Sequence, residues 1–220
     1  MAAPIVDVFR GTGAPLRVAA LATTAAATLW SYQARARFSG RSEAAATDVL
    51  RRWSRRAWGW LGLDVRVRGM VPDGPCVYVA NHRSYLDIPV LAGALGTAFM
   101  SRADVASWPI VGSAAREIGS VFVERDDATS RIRAAFALRR RLRTGSVTVF
   151  PEGTTCGTPL PGPFHPGLFL FLHRTGLPVP VVVHVGAPIE TRGHVGGDEL
   201  ARVAWAAIAR PIEELGELAA

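Results

Sequence analysis

Hydrophobic positions in this chain follow two different rhythms. From about residue 63 onward, short apolar runs, mostly rich in valine, alternate with segments of helical spacing. The runs 63–69, 75–80, 97–101, 120–124, 146–150 and 180–185, often bounded by glycine or proline, are expected as strands. The clearest helix covers 128–143. Asp127 stands at its cap position, Ile132, Ala135, Phe136 and Leu142 are expected to share a face, and Gly145 follows its end. Other helices are expected near 86–95, 104–117, 166–174 and 198–209. Strands separated by helices predict an α/β fold, with a mixed, largely parallel sheet covered by helices.

Residues before 63 read differently. Val18 to Trp30 is uncharged and rich in alanine and threonine, but its 13 residues fall short of the about 20 that a spanning helix needs. A cleaved secretory signal is one reading, since Arg10 and Arg17 precede the run. The other is a segment that docks on a membrane interface. Arginines are denser after the run than before it, which would hold the following body on the cytoplasmic side. Residues 44–61 are expected as a helix, because Val49, Leu50, Trp53, Ala57, Trp60 and Leu61 recur at three- and four-residue spacing. Arg51, Arg52, Arg55 and Arg56 project elsewhere around it. Tryptophan and leucine beside arginine fit a helix lying on anionic lipid, with Trp53 and Trp60 at head-group level; a core helix with a solvated basic face fits equally. The neighbouring apolar run favours the membrane. The expected organisation is therefore residues 1–61 as membrane-associating helices and 62–220 as the main domain.

Charge narrows the chemistry. The net charge is +7 and every basic side chain apart from histidine is arginine, which grips phosphate or carboxylate oxygens in a bidentate fork. Without lysine there is no G-x-x-x-x-G-K phosphate loop and no Schiff-base lysine. Cys76 and Cys156 fit no zinc or disulfide spacing. The five histidines are scattered and no H-E-x-x-H occurs, so no metal site is expected. There is no G-x-S-x-G nucleophile elbow and no nucleic-acid recognition motif.

The candidate chemistry lies where strands finish, the usual ligand position in open α/β sheets. Asn81-His-Arg-Ser-Tyr-Leu-Asp87 follows an apolar strand and precedes a helix. If both His82 and Asp87 were helical they would stand about 140° apart. They meet if His82 lies in the turn and Asp87 opens the helix, and Pro89 in the first turn agrees with that. Asp87 would then orient the imidazole, whose other nitrogen acts as general base. On spacing alone, an N-cap aspartate beside a loop histidine is the more ordinary arrangement. Arg125, ending a strand, and the turn at Gly153 together could hold an anion.

Three spaced blocks join these residues. Asn81-His82-x-x-x-x-Asp87, Gly119-x-x-Phe122-x-x-Arg125 and Phe150-Pro-Glu-Gly-Thr154 resemble, in order, the blocks N-H-x-x-x-x-D, G-x-x-F-x-x-R and F-P-E-G-T of the 1-acylglycerol-3-phosphate acyltransferase superfamily. Leu177 to Val182 resembles its fourth block, a proline-bearing apolar strand. Arg102-x-Asp104 with Trp108-Pro109 resembles a further K-x-E…P stretch. The resemblance spans residues 63–190. It implies a glycerol-3-phosphate acyltransferase-like fold, with His82 as base, Asp87 as its partner, and Arg125, Glu152, Gly153 and Thr154 shaping the acceptor head-group site. It also counts Arg102 among the substrate-binding residues and sets the fourth block beside the acyl or thioester side. The implied reaction passes a fatty acyl group from acyl-CoA or acyl carrier protein to a lysolipid hydroxyl, without metal or bound cofactor, at the cytoplasmic face of the membrane. After E-G-T the family usually carries arginine and serine, whereas this chain has Thr155 and Cys156. The E-G-T-T form resembles relatives acylating lyso-ornithine lipids. The alternative is a membrane-binding protein that keeps the fold without turnover.

Overall fold

The computed structural model describes residues 14–63, 65, 67, 71–155, 160–175, 179–182, 185–189, 198, 202, 205 and 206. Two helices come first. Helix α1, Ala14–Ser39, runs well past both ends of the apolar stretch, and Gly40 in a left-handed conformation follows it. Its Thr23 and Thr24 hydroxyls bond back to the Ala19 and Ala20 carbonyls at 2.8 Å, so they cost the helix no unsatisfied polar group. Helix α2, Glu43–Leu61, is capped by Ser42, whose side chain accepts from the Ala45 amide, and closed by Gly62 at φ 66°. The Tyr32 hydroxyl donates to the Ser42 carbonyl at 2.8 Å and pins the corner between the helices. No helix among the described residues is long and apolar enough to cross a membrane.

The sheet has the order β3-β2-β4-β1-β5-β6. Its strands are β1 (Val77–Val79), β2 (Ala98–Arg102), β3 (Val121–Val123), β4 (Val147–Val149), β5 (Val179–Val182) and β6 (Val185–Ile189). All neighbours are parallel except β5 and β6. The central strands β1 and β4 are buried along their whole length, which explains their continuous apolar runs. Parallel neighbours need crossovers, and helices α3 (Asp87–Leu95), α4 (Val111–Glu117), α5 (Ala128–Arg141) and α6 (Pro166–Thr175) supply them. The path steps one way across the sheet from β1 to β3 and back from β3 to β5. With the usual right-handed crossovers, α3 and α4 cover one face and α5 and α6 the other. Helix α2 packs on α3 and α4, and α1 packs on α2.

The α2–α3 contact is close because α3 carries a glycine there. A Cβ on Gly93 would stand 2.4 Å from the Trp58 indole, whose N–H donates to the Pro89 carbonyl at 3.0 Å. Gly93→Ala is therefore expected to destabilise the protein by about 1–3 kcal/mol through overpacking, seen as a lower urea midpoint at unchanged slope.

Three expectations need correction. The helix expected at 104–117 is a 3₁₀ turn, Ala103–Ser107, followed by α4. Pro109 is the cause: it forces Trp108 into an extended conformation at ψ 133°. Helix α5 starts on its Asp127 cap, which accepts from the Thr129 and Ser130 amides at 2.8 and 3.1 Å, but the opposite stripe faces inward. Ala134, Leu138, Arg141 and Leu142 are buried, while Ile132 and Phe136 are 60 % and 68 % exposed. The segment has two apolar stripes, and polar partners select one: buried Arg141 donates to the Ile118 carbonyl at 3.2 Å and lies 3.6 Å from Glu43. Finally, Trp53 does not share an exposed face with Trp60, which is 51 % exposed. Trp53 turns inward and donates to the Thr24 hydroxyl of α1 at 3.3 Å. The strand expected at 63–69 and the helix at 198–209 lie largely outside the described residues.

Candidate active site at the strand ends

Strand β1 releases the chain at Ala80, and residues 81–86 turn before α3 begins at Asp87. Asp87 organises that turn. Its Oδ2 accepts from the Arg83 amide at 2.7 Å and the Ser84 amide at 2.9 Å, and it lies 2.7 Å from His82 Nδ1. An oxygen already accepting two fixed amide protons acts as acceptor toward the ring as well. Nδ1 therefore carries a proton, so in the neutral ring the lone pair is on Nε2. The His82 ring stacks on Phe150, with centroids 4.1 Å apart and planes 19° from parallel.

The 150–154 segment holds His82 from behind. Glu152 is 7 % exposed. One carboxylate oxygen accepts from the His82 amide and the other from the Gly162 amide, both at 2.8 Å. It thus stands behind the cavity wall and acts as a brace between two loops. Gly153 has φ 77°, and a Cβ there would lie 2.5 Å from the Arg125 guanidinium. This glycine is needed for its backbone conformation and for the close approach of Arg125, which donates to the Gly153 carbonyl.

Arg125 comes from the end of β3. Burial, then the like charge of Arg102, push its guanidinium below the ordinary value, and Asp126 opposes them. A partly desolvated cation near a second cation favours an anion between or beside them. Arg102 itself is exposed and grips Asp104 through two contacts of 3.1 and 3.2 Å.

His82, Arg102, Arg125, Gly153 and Thr154 line one cavity of about 700 Å³, within the ~300–1,000 Å³ of small-molecule sites. Away from these residues its walls are mostly apolar, with Leu21, Ala25 and Leu29 of α1 and Val49, Leu50 and Trp53 of α2 among them, though Asp104 and Glu117 also reach it. A polar end beside an imidazole base, continuous with an apolar chamber, suits an amphiphile whose reacting atom lies at the junction. Sequence reading missed the Phe150 stack, the bracing role of Glu152 and the part of α1 in the wall. Only the last left a signal, the four-residue spacing of Leu21, Ala25 and Leu29. The fourth sequence block supplies β5, paired through Val181 to Val79 of β1, while Leu177 and Pro178 lie outside the described residues. No group of three histidine, cysteine, aspartate or glutamate side chains suited to a metal occurs among the described residues.

Comparison with known proteins fits this geometry. The chain is 33 % identical over 156 residues to the lyso-ornithine lipid O-acyltransferase of Pseudomonas aeruginosa, covering 69 % of this chain and 60 % of that protein. It is 44 % identical over 107 residues to the protein of the same name from Rhizobium meliloti, covering 48 % and 37 %. The chloroplastic 1-acyl-sn-glycerol-3-phosphate acyltransferase BAT2 of Brassica napus is 37 % identical over 117 residues, covering 52 % and 34 %. The chain thus spans three-fifths or less of these relatives' lengths. The crystal structure of the 1-acyl-sn-glycerophosphate acyltransferase PlsC from Thermotoga maritima shares the fold, with a TM-score of 0.75 at 24 % identity over 91 % of this chain and 95 % of that one. The protein-family model Acyltransferase matches residues 63–185, more than half of the sequence, and the chain belongs to that acyltransferase family.

Proposed function

We propose that this protein transfers a fatty acyl group from an acyl thioester to the hydroxyl of a lysolipid, with His82 as general base. The observation that carries this reading is the His82–Asp87 pair: Nδ1 is committed to the carboxylate, and the ring lines the junction between the polar and apolar parts of the cavity. The acceptor hydroxyl gives its proton to Nε2 as its oxygen attacks the thioester carbonyl carbon. The tetrahedral intermediate collapses, the carbon–sulfur bond breaks, and the imidazolium returns the proton to the departing thiolate. The thioester is already activated, so these steps draw on no metal or bound cofactor.

Arg125, with Gly153 and Thr154, receives an anionic oxygen of the acceptor head group, and Arg102 adds to the positive field. The relatives' names and Thr155 in place of the family's arginine support a lyso-ornithine lipid ahead of lysophosphatidate. A panel of lysolipids offered with palmitoyl thioester tests this. A folded protein that acylates none of them contradicts the reading. Arg125→Ala is expected to raise the KM for the acceptor about 10- to 100-fold, the equivalent of one charge-assisted contact of roughly 1.5–3 kcal/mol, with the donor KM unchanged. If the donor KM alone moved, Arg125 would belong to the other subsite.

We also propose that residues 1–61 dock this catalytic body, 62–220, on the cytoplasmic leaflet. Helix α1 has two apolar faces. One lines the cavity, and the other carries Leu16, Trp30 and Phe38 outward, with Trp30 72 % and Phe38 94 % exposed. At 100° per residue these three fall within one 80° sector. Arg52 and Arg55 of α2 are partly engaged, with Asp48 and the Gly93 carbonyl, so the aromatic stripe is the main support for docking. Trp30→Ser with Phe38→Ser is expected to cut flotation with anionic vesicles at least tenfold, since burying one large apolar side chain contributes about 1.5–3 kcal/mol. Unchanged flotation would contradict the docking mode.

A further inference from the structure

The outer face of α5 is left over by everything above. Ile132, Phe136 and Arg139 recur at four- and three-residue spacing along it, and Arg143 continues the line just past the helix end. Ile132 and Phe136 are the two exposed large apolar side chains on this helix. Around them the segment 128–143 contains Arg131, Arg133, Arg139, Arg140, Arg141 and Arg143 and no acidic residue. Arg141 is buried, and Arg133 lies 3.8 Å from Asp127. Arg139, Arg140 and Arg143 are exposed and have no carboxylate partner among the described residues. An apolar stripe set among uncompensated arginines is complementary to an acidic surface with a small apolar centre.

The N-terminal end of α5 adjoins the site, and Arg139 to Arg143 follow about 12–20 Å further along it. The Arg131 guanidinium donates to the Arg125 carbonyl at 2.5 Å, and the Ser130 hydroxyl accepts from the Glu124 amide at 2.9 Å. The helix thus begins at the strand end that supplies Arg125, and a partner lying along it reaches the cavity mouth. Its side of the sheet decides the partner. Right-handed crossovers put α5 on the face opposite α3; α2 packs on α3, and α1 on α2. With the bilayer on the α1 side, as proposed above, α5 lies across the sheet from it. A second copy of the chain is disfavoured, because a two-fold contact would set this arginine patch against itself.

We propose that the outer face of α5 docks a small acidic protein carrying the acyl group as a thioester on a flexible arm, so that the donor arrives from the side away from the membrane. The proposal rests on the acyl-transfer reading for its purpose, though the docking itself can be measured without turnover. The test uses the full-length protein and a bacterial acyl carrier protein with its pantetheine arm, compared with Arg139→Glu/Arg140→Glu/Arg143→Glu and, separately, Phe136→Ser, each checked for a native circular dichroism spectrum and melting point. Direct binding of the unacylated carrier is read by fluorescence anisotropy. It should weaken at least tenfold in the triple variant, weaken in Phe136→Ser, and fall with salt in the parent protein. With palmitoyl-carrier as donor, KM should rise at least tenfold in the triple variant. With neutral palmitoyl-pantetheine, kcat/KM should stay within twofold. Carrier binding lost on charge reversal supports the proposal even if no donor is turned over, and that lack of turnover would then count against the acyl-transfer reading alone. The docking proposal is overturned if the parent protein does not bind the carrier, if the triple variant uses the carrier thioester normally, if it loses both donors equally, or if it loses anionic vesicle binding while using the carrier normally.

Discussion

Replacing His82 with alanine is expected to lower turnover about 10²- to 10⁴-fold, the contribution of a positioned general base, and to leave the fold in place. The ring lies at a cavity wall and bonds to one carboxylate. Asp87 would still hold the Arg83 and Ser84 amides, so the turn keeps its shape. The loss should therefore appear in kcat, at near-native KM for the lysolipid and an unchanged melting point. Asp87→Asn is expected to act differently. An amide side chain offers one carbonyl oxygen to the three donors now shared by the carboxylate, and its NH₂ group can stabilise the wrong imidazole tautomer. Turnover falls and the turn loosens together. Near-normal rates in folded His82→Ala protein would remove His82 from the reaction.

Glu152→Ala is expected to be nearly as damaging, by another route. Its buried carboxylate accepts from the His82 and Gly162 amides. Deleting it strands two donors, at about 1–3 kcal/mol each. That is a large part of a typical stability of roughly 5–15 kcal/mol. Both the urea midpoint and the activity of the folded fraction should drop, because the backbone of His82 loses its anchor. Glu152→Gln keeps one acceptor and should fall between the two on both measures. If Glu152→Ala instead raised only the acceptor KM at unchanged stability, the carboxylate would be a head-group contact after all, as family resemblance alone implies.

Much of the scaffold was legible because it depends on local pattern. Buried parallel strands demand apolar residues on both faces, so the valine runs of β1 and β4 declared themselves, as did the Asp127 cap of α5, and shorter apolar runs marked the partly buried β2 and β3. Pro89 foretold that Asp87 would open a helix, and the 2.7 Å contact with His82 follows from that start. Other features were hidden because long-range partners decide them. Which stripe of α5 turns inward depends on Glu43 and the Ile118 carbonyl, distant in sequence, which bury Arg141. The break between the 3₁₀ turn and α4 was marked by Pro109, but the apolar spacing around it masked the signal. Trp53 was read with the lipid-facing residues because helical spacing identifies a face without naming what lies against it; α1 covers it. Glu152 was counted with the head-group residues because the family resemblance implies that role. The structure uses it to tie two loops together, a task that no spacing rule encodes.

The central claim is that acyl transfer runs through His82, and the most direct measurement follows thiol release from palmitoyl thioester with and without lyso-ornithine lipid. Transfer through His82 predicts release that depends on the acceptor, matches the new ester one to one, and falls at least a hundredfold in His82→Ala. Release that ignores the acceptor, or that persists in the folded His82→Ala protein, would contradict it.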